Sequence, residues 1–309
     1  MRVARLGLMA PGTRSAAEMA AHSRAALDRP LTHEAELWVA TATDEARILG
    51  AFQRAHEGST APLVRRGTGG PDVFVGPGTV HLALALAHPG SLTECDEKHI
   101  VNRYVRPLLR ALTATGSPAA FFGRDWISVS KKPAAWVGFG HDAGTRRTLF
   151  EAFVAVAFPF ALSERASFRG KAPSTLQSIG GHTLDPARLV QAVTAAYAET
   201  HDVEALDVVV PAADSVAPGV ELAPPWVATC EEAIGLVGAG PDGHGIFRVG
   251  GDFLVSRDAL ARLEARTALA DEDEIGRIVD ETLMAPGVAF DGIRTLSSLR
   301  DVIARARRA

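Results

Sequence analysis

Apolar and polar positions follow two periods along this chain, one near three to four residues and one near two. Residues 16–28 carry small apolar residues at helical spacing. Over 98–115, Ile100, Val101, Tyr104, Val105, Leu108, Leu109 and Leu112 share one helical face, and Gly116 supplies a stop. Pro107 inside this pattern predicts a kink or a split. Strands are expected over 36–40 and 47–52. The apolar run 80–87 fits a buried strand, with a buried helical turn as the alternative. Segments 119–122, 126–130, 134–141 and 148–158 then succeed one another through short turns, which argues for an antiparallel or mixed sheet. Asp185-Pro186 opens a helix over 187–200. Residues 201–227, rich in Pro and Ala, read as a linker with one short strand. A hairpin from 233–239 and 245–254 turns at Pro241-Asp242-Gly243. Helices follow over 257–266 capped by Ser256, over 272–284, and over 296–307 capped by Thr295. The pattern predicts an α+β protein with a large domain, 1–227, around a central sheet, and a small accessory domain, 228–309.

Composition narrows the function classes. The chain has 309 residues, 47% hydrophobic and 22% charged, with a formal net charge of −4. That is an ordinary globular composition, without the basic field that holds nucleic acid or an acidic membrane surface. Two cysteines, Cys95 and Cys230, make no disulfide framework, and no Cys/His spacing suggests a metal site. No apolar run reaches membrane-spanning length, and Pro11-Gly12 breaks the N-terminal stretch as a signal peptide, so a cytoplasmic protein is expected.

The candidate chemistry gathers at two places. Arg65-Arg66 ends an apolar run and Gly67-Thr68-Gly69-Gly70 follows at once. Paired guanidiniums fork onto carboxylate or phosphate oxygens, and adjacent glycines let backbone N–H groups approach an anion, so the segment reads as an anion cradle between two strands. The alternative is a tight hairpin with solvated arginines. The second place is Gly123-Arg124-Asp125-Trp126-Ile127, followed by Lys131-Lys132. One of these lysines, converging on the cradle, would complete three cations around a single anion, an arrangement suited to joining a carboxylate to a phosphate. Strand alternation lets only one of the two enter. His81, His141, His182 and His244 are scattered and read as surface or satisfied core histidines. Carboxylates beside Cys95 weaken it as a nucleophile. Glu264, Glu272 and Asp273 read as exposed helix charges. G-x-S-x-G, complete P-loop and G-x-G-x-x-G motifs are missing from the sequence.

Taken in order, these pieces resemble the lipoate–protein ligase A family of the biotin/lipoate ligase fold. Residues 65–70, RRGTGG, are similar to the family's RRxSGG loop, and Leu49-Gly50-Ala51-Phe52-Gln53 to its G-x-x-Q strand end. Gly123-Arg124-Asp125-Trp126-Ile127 stands where the family has GRNDI, and Lys132 where it has a substrate-contacting lysine. Residues 168–197 resemble the segment and helix that follow, and residues 249–254, VGGDFL, the GDF strand of the accessory domain. The chain departs at Pro71-Asp72, at Phe74-Val75-Gly76, at Thr79, at Asp125-Trp126 and at Pro133-Ala134-Ala135. The resemblance implies a mixed sheet with flanking helices and an ATP- and Mg2+-dependent ligase. Such an enzyme converts lipoate, or a similar acid such as octanoate, to an acyl-adenylate. It then acylates a lysine of a lipoyl carrier domain of a 2-oxoacid dehydrogenase or of the glycine-cleavage H protein. It further implies that Lys132 is catalytic and that Arg65, Arg66, Thr68, Gly69, Gly70, Asp125 and Lys131 line the adenylate site. No residue is assigned as a metal ligand, since Trp126 stands where the family has an Asp that would partner a metal or phosphate. The apolar residues of 73–75 and 136–139 would wall an acyl tunnel or belong to the plain core. Two alternatives stand beside this: an ATP-independent octanoyl or lipoyl transferase, and a catalytically silent ligase-like binding partner.

Overall fold

The computed structural model describes residues 4–55, 61–159, 172–201, 203–208 and 220–309. Its centre is a nine-stranded mixed sheet. Its strands run in the order Glu204–Val208, Arg5–Met9, Ala35–Ala42, Val80–Leu86, Thr148–Val154, Lys132–His141, Trp126–Val129 and Ala119–Phe121, with Gly12–Arg14 paired beside Ala35–Ala42. The pairs at the Arg5–Met9 end are parallel and those from Ala35–Ala42 onward antiparallel. The run at 80–87 is a strand, Val80–Leu86, buried along its whole length between two neighbours. Continuous apolarity is what a central strand covered on both faces requires.

One face packs on the helices Ile100–Ala114 and Pro186–His201, and Tyr197 Oη donates to the Tyr104 carbonyl at 2.5 Å between them. Pro107 does not split the first helix, which ends where Gly116 takes φ +88°. On the other face lie the helix Ala16–Asp28 and a small sheet of Leu63–Arg65, Ala46–Leu49 and Val73–Val75. The strand expected over 47–52 stops at Leu49, because Gly50 turns the chain there.

The C-terminal part has a three-stranded sheet, Ala228–Glu231, Leu236–Pro241 and Phe247–Gly251, covered by the helices Arg257–Leu269, Glu272–Leu283 and Leu296–Arg308. Its core is continuous with the large one: Phe253, Leu254 and Val255 join Ile127, Val137 and Phe139 in a single apolar cluster. Ser256 and Thr295 sit at the expected cap positions, but neither side chain caps its helix. Ser256 Oγ instead accepts from Ala289 N at 2.8 Å. Asp185 Oδ1 does accept from Ala187 N, at 2.9 Å. Part of the 201–227 linker and part of the 168–197 resemblance lie outside the described residues.

Candidate functional site

The loop after Leu63–Arg65 sits between the sheet's second face and the C-terminal segment, and alternation along the chain parts its two arginines. Arg66 turns inward and is fully buried. Its Nε donates to Thr68 Oγ1 at 2.9 Å, Nη1 to the Ile48 carbonyl at 3.1 Å, and Nη2 to the carbonyls of Gly69 and Pro71, each at 2.7 Å. The guanidinium also lies over the Trp136 ring, 3.9 Å from its centroid. Burial pushes its pKa down to about 10, against the pull of Glu151, Asp72, Asp252 and Asp125, so it stays charged at neutral pH. Arg65 turns the other way and is half-buried. Its Nη1 donates to the carbonyls of Gly50, Ala51 and Gln53 at 3.0, 3.3 and 2.6 Å.

The rest of the loop is equally committed. Thr68 hydrogen-bonds Glu151, whose other oxygen lies 2.7 Å from His81 Nε2; all three side chains are buried in the sheet. Burial opposes ionisation of Glu151, but the hydrogen bond and charge of His81, the Arg66 charge and the Thr68 hydroxyl outweigh it and hold the carboxyl below its ordinary range. Gly69 N donates to the Phe139 carbonyl at 3.3 Å and Gly70 N to the Phe253 carbonyl at 3.1 Å. The departure residues join in: Asp72 Oδ2 takes Arg47 Nε at 2.6 Å, and the Pro71 carbonyl takes Arg66. Gln53 Oε1 accepts from Gly50 N at 2.7 Å while its Nε2 donates to Asp252 at 2.5 Å, tying the loop to the C-terminal segment. Backbones meet so closely here that a Cβ on Gly50 would lie 2.0 Å from the Gly70 carbonyl oxygen. Gly50→Ala therefore forces the two loops apart, and thermal denaturation should register a loss of about 1–3 kcal/mol.

The expected convergence does not form, for a reason of register. Ser130 and Lys131, at φ +48° and +66°, make the two-residue turn of the hairpin, and both Lys131 and Lys132 are exposed at its tip. A bulge between Pro133 and Ala135 then fixes the pairing, with Lys132 opposite Val129. Directly paired residues share a face. Val129 and Ile127 belong to the helical face, whereas Trp126, Trp136 and Arg66 pack on the other. Val73, Val75, Val137 and Phe139 are plain core, each no more than 3% exposed.

Asp125 is buried near Arg66, and its Oδ1, 3.7 Å from Arg124 Nη2, has no hydrogen-bond partner among the described residues. Burial pushes its carboxyl up to about 7, against Arg124, while Asp291 and Asp252 add to the rise. Asp252 is pushed up to about 6, again by burial first. Among the described residues no three His, Cys, Asp or Glu side chains gather to hold an ion. The Gly67, Gly69 and Gly70 amides are all engaged within the protein. Burial, with Asp96 beside it, pushes the Cys95 thiol up to about 11, which weakens it as a nucleophile.

The sequence reading missed Glu151; it named Gln53, Asp72 and Asp252 only within motifs, and His81 only as a surface or satisfied core histidine, and it did not join them into one network. Their signal was a lone polar residue inside an apolar strand, TLFEAFV for Glu151 and VHLALAL for His81. His141 is a satisfied core histidine, bonded through Thr148 and the Gly287 carbonyl, while His182 and His244 lie on the surface. Glu264 is half-buried, accepting from Val249 N at 2.9 Å, not an exposed helix charge.

No known family profile and no curated protein matches the sequence. Solved structures do match in three dimensions. P. falciparum LipL1 in complex with lipoate superposes with a TM-score of 0.65 at 11% identity, over 98% of this chain and 100% of that one. A bi-partite lipoate protein ligase, solved in a study with its E2 lipoyl domain from Thermoplasma acidophilum, gives 0.53 at 15% identity, over 69% and 89%. A second Thermoplasma acidophilum structure, with bound lipoic acid, gives 0.53 at 14% over 69% and 91%. The chain has the α+β fold of lipoate–protein ligases, as the motifs led one to expect.

Proposed function

We propose that this lipoate–protein ligase-like chain serves protein lipoylation as a binding partner, engaging a lipoyl carrier domain or its acyl group without forming an acyl-adenylate. The fold, shared with LipL1 along nearly the whole chain, supports the lipoylation setting. The bi-partite ligase among its structural neighbours gives a precedent for a ligase divided between parts. One observation carries the silent half of the proposal: Arg66, Thr68, Gly69 and Gly70 spend their donors on the protein itself, and both candidate lysines lie away from them. Transition-state stabilisation needs donors held ready for the charge that develops, and removing one typically costs about 10²–10³ in rate. Here the Gly67, Gly69 and Gly70 amides and the Arg66 guanidinium are already engaged within the protein.

A second reading, the ATP- and Mg2+-dependent ligase acting on lipoate or octanoate, is favoured by the RRGTGG loop standing at the meeting of the sheet and the C-terminal segment. Calorimetric titration with a 2-oxoacid dehydrogenase lipoyl domain, with glycine-cleavage H protein and with lipoate tests the partner reading. It expects saturable binding of at least one of these and no mass increase of the carrier in the presence of MgATP. Failure of all three to bind overturns it, and a carrier acylated under those conditions replaces it with the ligase.

A further inference from the structure

The apolar layer under the glycine loop is built largely of alanines and valines, in which Trp126, Trp136 and Phe153 are the bulky side chains. Trp136 is fully buried there. Its ring centroid lies 3.9 Å from the Arg66 guanidinium and 5.9 Å from that of Phe153. Two glycines make room for it. A Cβ on Gly70, in the loop, would lie 2.9 Å from Trp136 Cζ2, and one on Gly138 would lie 2.4 Å from the same atom. Residues 136 and 138 of a strand share a face, so the indole folds along its own strand and over Gly138. Ile48, Val73 and Val75 of the small sheet, all fully buried, belong to the same layer. The indole is held by shape and by Arg66. Its buried Nε1 has no hydrogen-bond partner among the described residues, although a buried indole N–H usually finds one. The inner side of the loop thus already holds a flat aromatic group, supplied by the chain itself.

We infer that Trp136 determines what this chain recognises: its indole fills the apolar slot under the loop, so the chain binds a lipoyl carrier by its protein surface, whether or not the carrier's lysine is acylated. The inference rests on the partner reading above and narrows it from carrier or acyl group to the carrier alone. Protein interiors are packed at the density of organic crystals, so a ring wedged against two glycines and a guanidinium cannot share its space with an acyl chain. Cutting the ring back to a methyl group would leave a cavity walled mostly by apolar groups, and cavities of that kind take up apolar guests.

The test is calorimetric titration of wild type and Trp136→Ala with free octanoate and with two carriers, a 2-oxoacid dehydrogenase lipoyl domain and glycine-cleavage H protein, each unmodified and octanoylated. Wild type should bind the two forms of a carrier with affinities less than ~3-fold apart, and should not bind octanoate. Trp136→Ala should prefer the octanoylated form at least ~10-fold, because methylenes then leave water for the emptied slot. Wild type that discriminates between the two forms by ~3-fold or more, or that binds octanoate, overturns the inference and leaves the partner reading in place. Wild type that binds neither carrier in either form, nor octanoate, overturns the partner reading and the inference with it. A folded Trp136→Ala without the preference overturns the assignment to Trp136. The wild-type comparisons decide even where Trp136→Ala does not fold, and Trp136→Phe, which keeps most of the slot filled, should behave as wild type.

Discussion

Arg66→Met should cost about 3–5 kcal/mol of stability, read as a shift in the urea midpoint at unchanged slope. The guanidinium is fully buried, and its removal strips partners from the Thr68 hydroxyl and from the carbonyls of Ile48, Gly69 and Pro71. It also leaves Glu151 with one positive neighbour fewer, inside a sheet where water cannot replace it. Breaking a buried charge pair from one side is among the few single substitutions that reach this size. Were Arg66 a ligand-binding group open to solvent, as the paired-arginine motif first implies, the same substitution would fall within about 0.5 kcal/mol.

Asp125→Asn should stabilise the protein, and only above acid pH. The folded carboxyl titrates near 7, against an ordinary value of 3.8, because burial disfavours its charge. The folded state therefore binds this proton more tightly than the unfolded chain does. Wild type loses stability as pH rises from about 4, and carries the full penalty above about 7. Asparagine keeps the shape and has no charge to bury. The difference between the two proteins should be near zero at about pH 4 and about 3–4 kcal/mol in favour of the variant at about pH 8. Denaturation at those two pH values decides the matter, and a gap that does not change with pH contradicts it.

These expectations show where the sequence was legible. The helix at 16–28 matches Ala16–Asp28, and the central strand and C-terminal helices follow their apolar periods closely, because burial of one face sets those periods. The site was legible as a motif and not as an arrangement. Adjacent arginines look like a pair on paper, but a strand sends neighbours to opposite sides, so Arg66 became a core cation and Arg65 a cavity wall. One bulge at Pro133/Ala135 decided which face Lys132 took, and bulges leave little local signature. Glu151 stands out as a carboxylate in an apolar strand, yet its partners, His81 and Thr68, come from distant stretches and meet only through the sheet pairing.

Asp125, Asp252 and Arg66 all lie close to the seam between the glycine loop and the Val249–Leu254 stretch. On the proposed reading, the donors that would turn an acyl acid into an adenylate instead hold the fold together. Lipoate-dependent exchange of labelled pyrophosphate into ATP, with purified protein and Mg2+, probes that claim most directly. The account predicts no exchange above the level without lipoate; exchange that rises with lipoate concentration would contradict it.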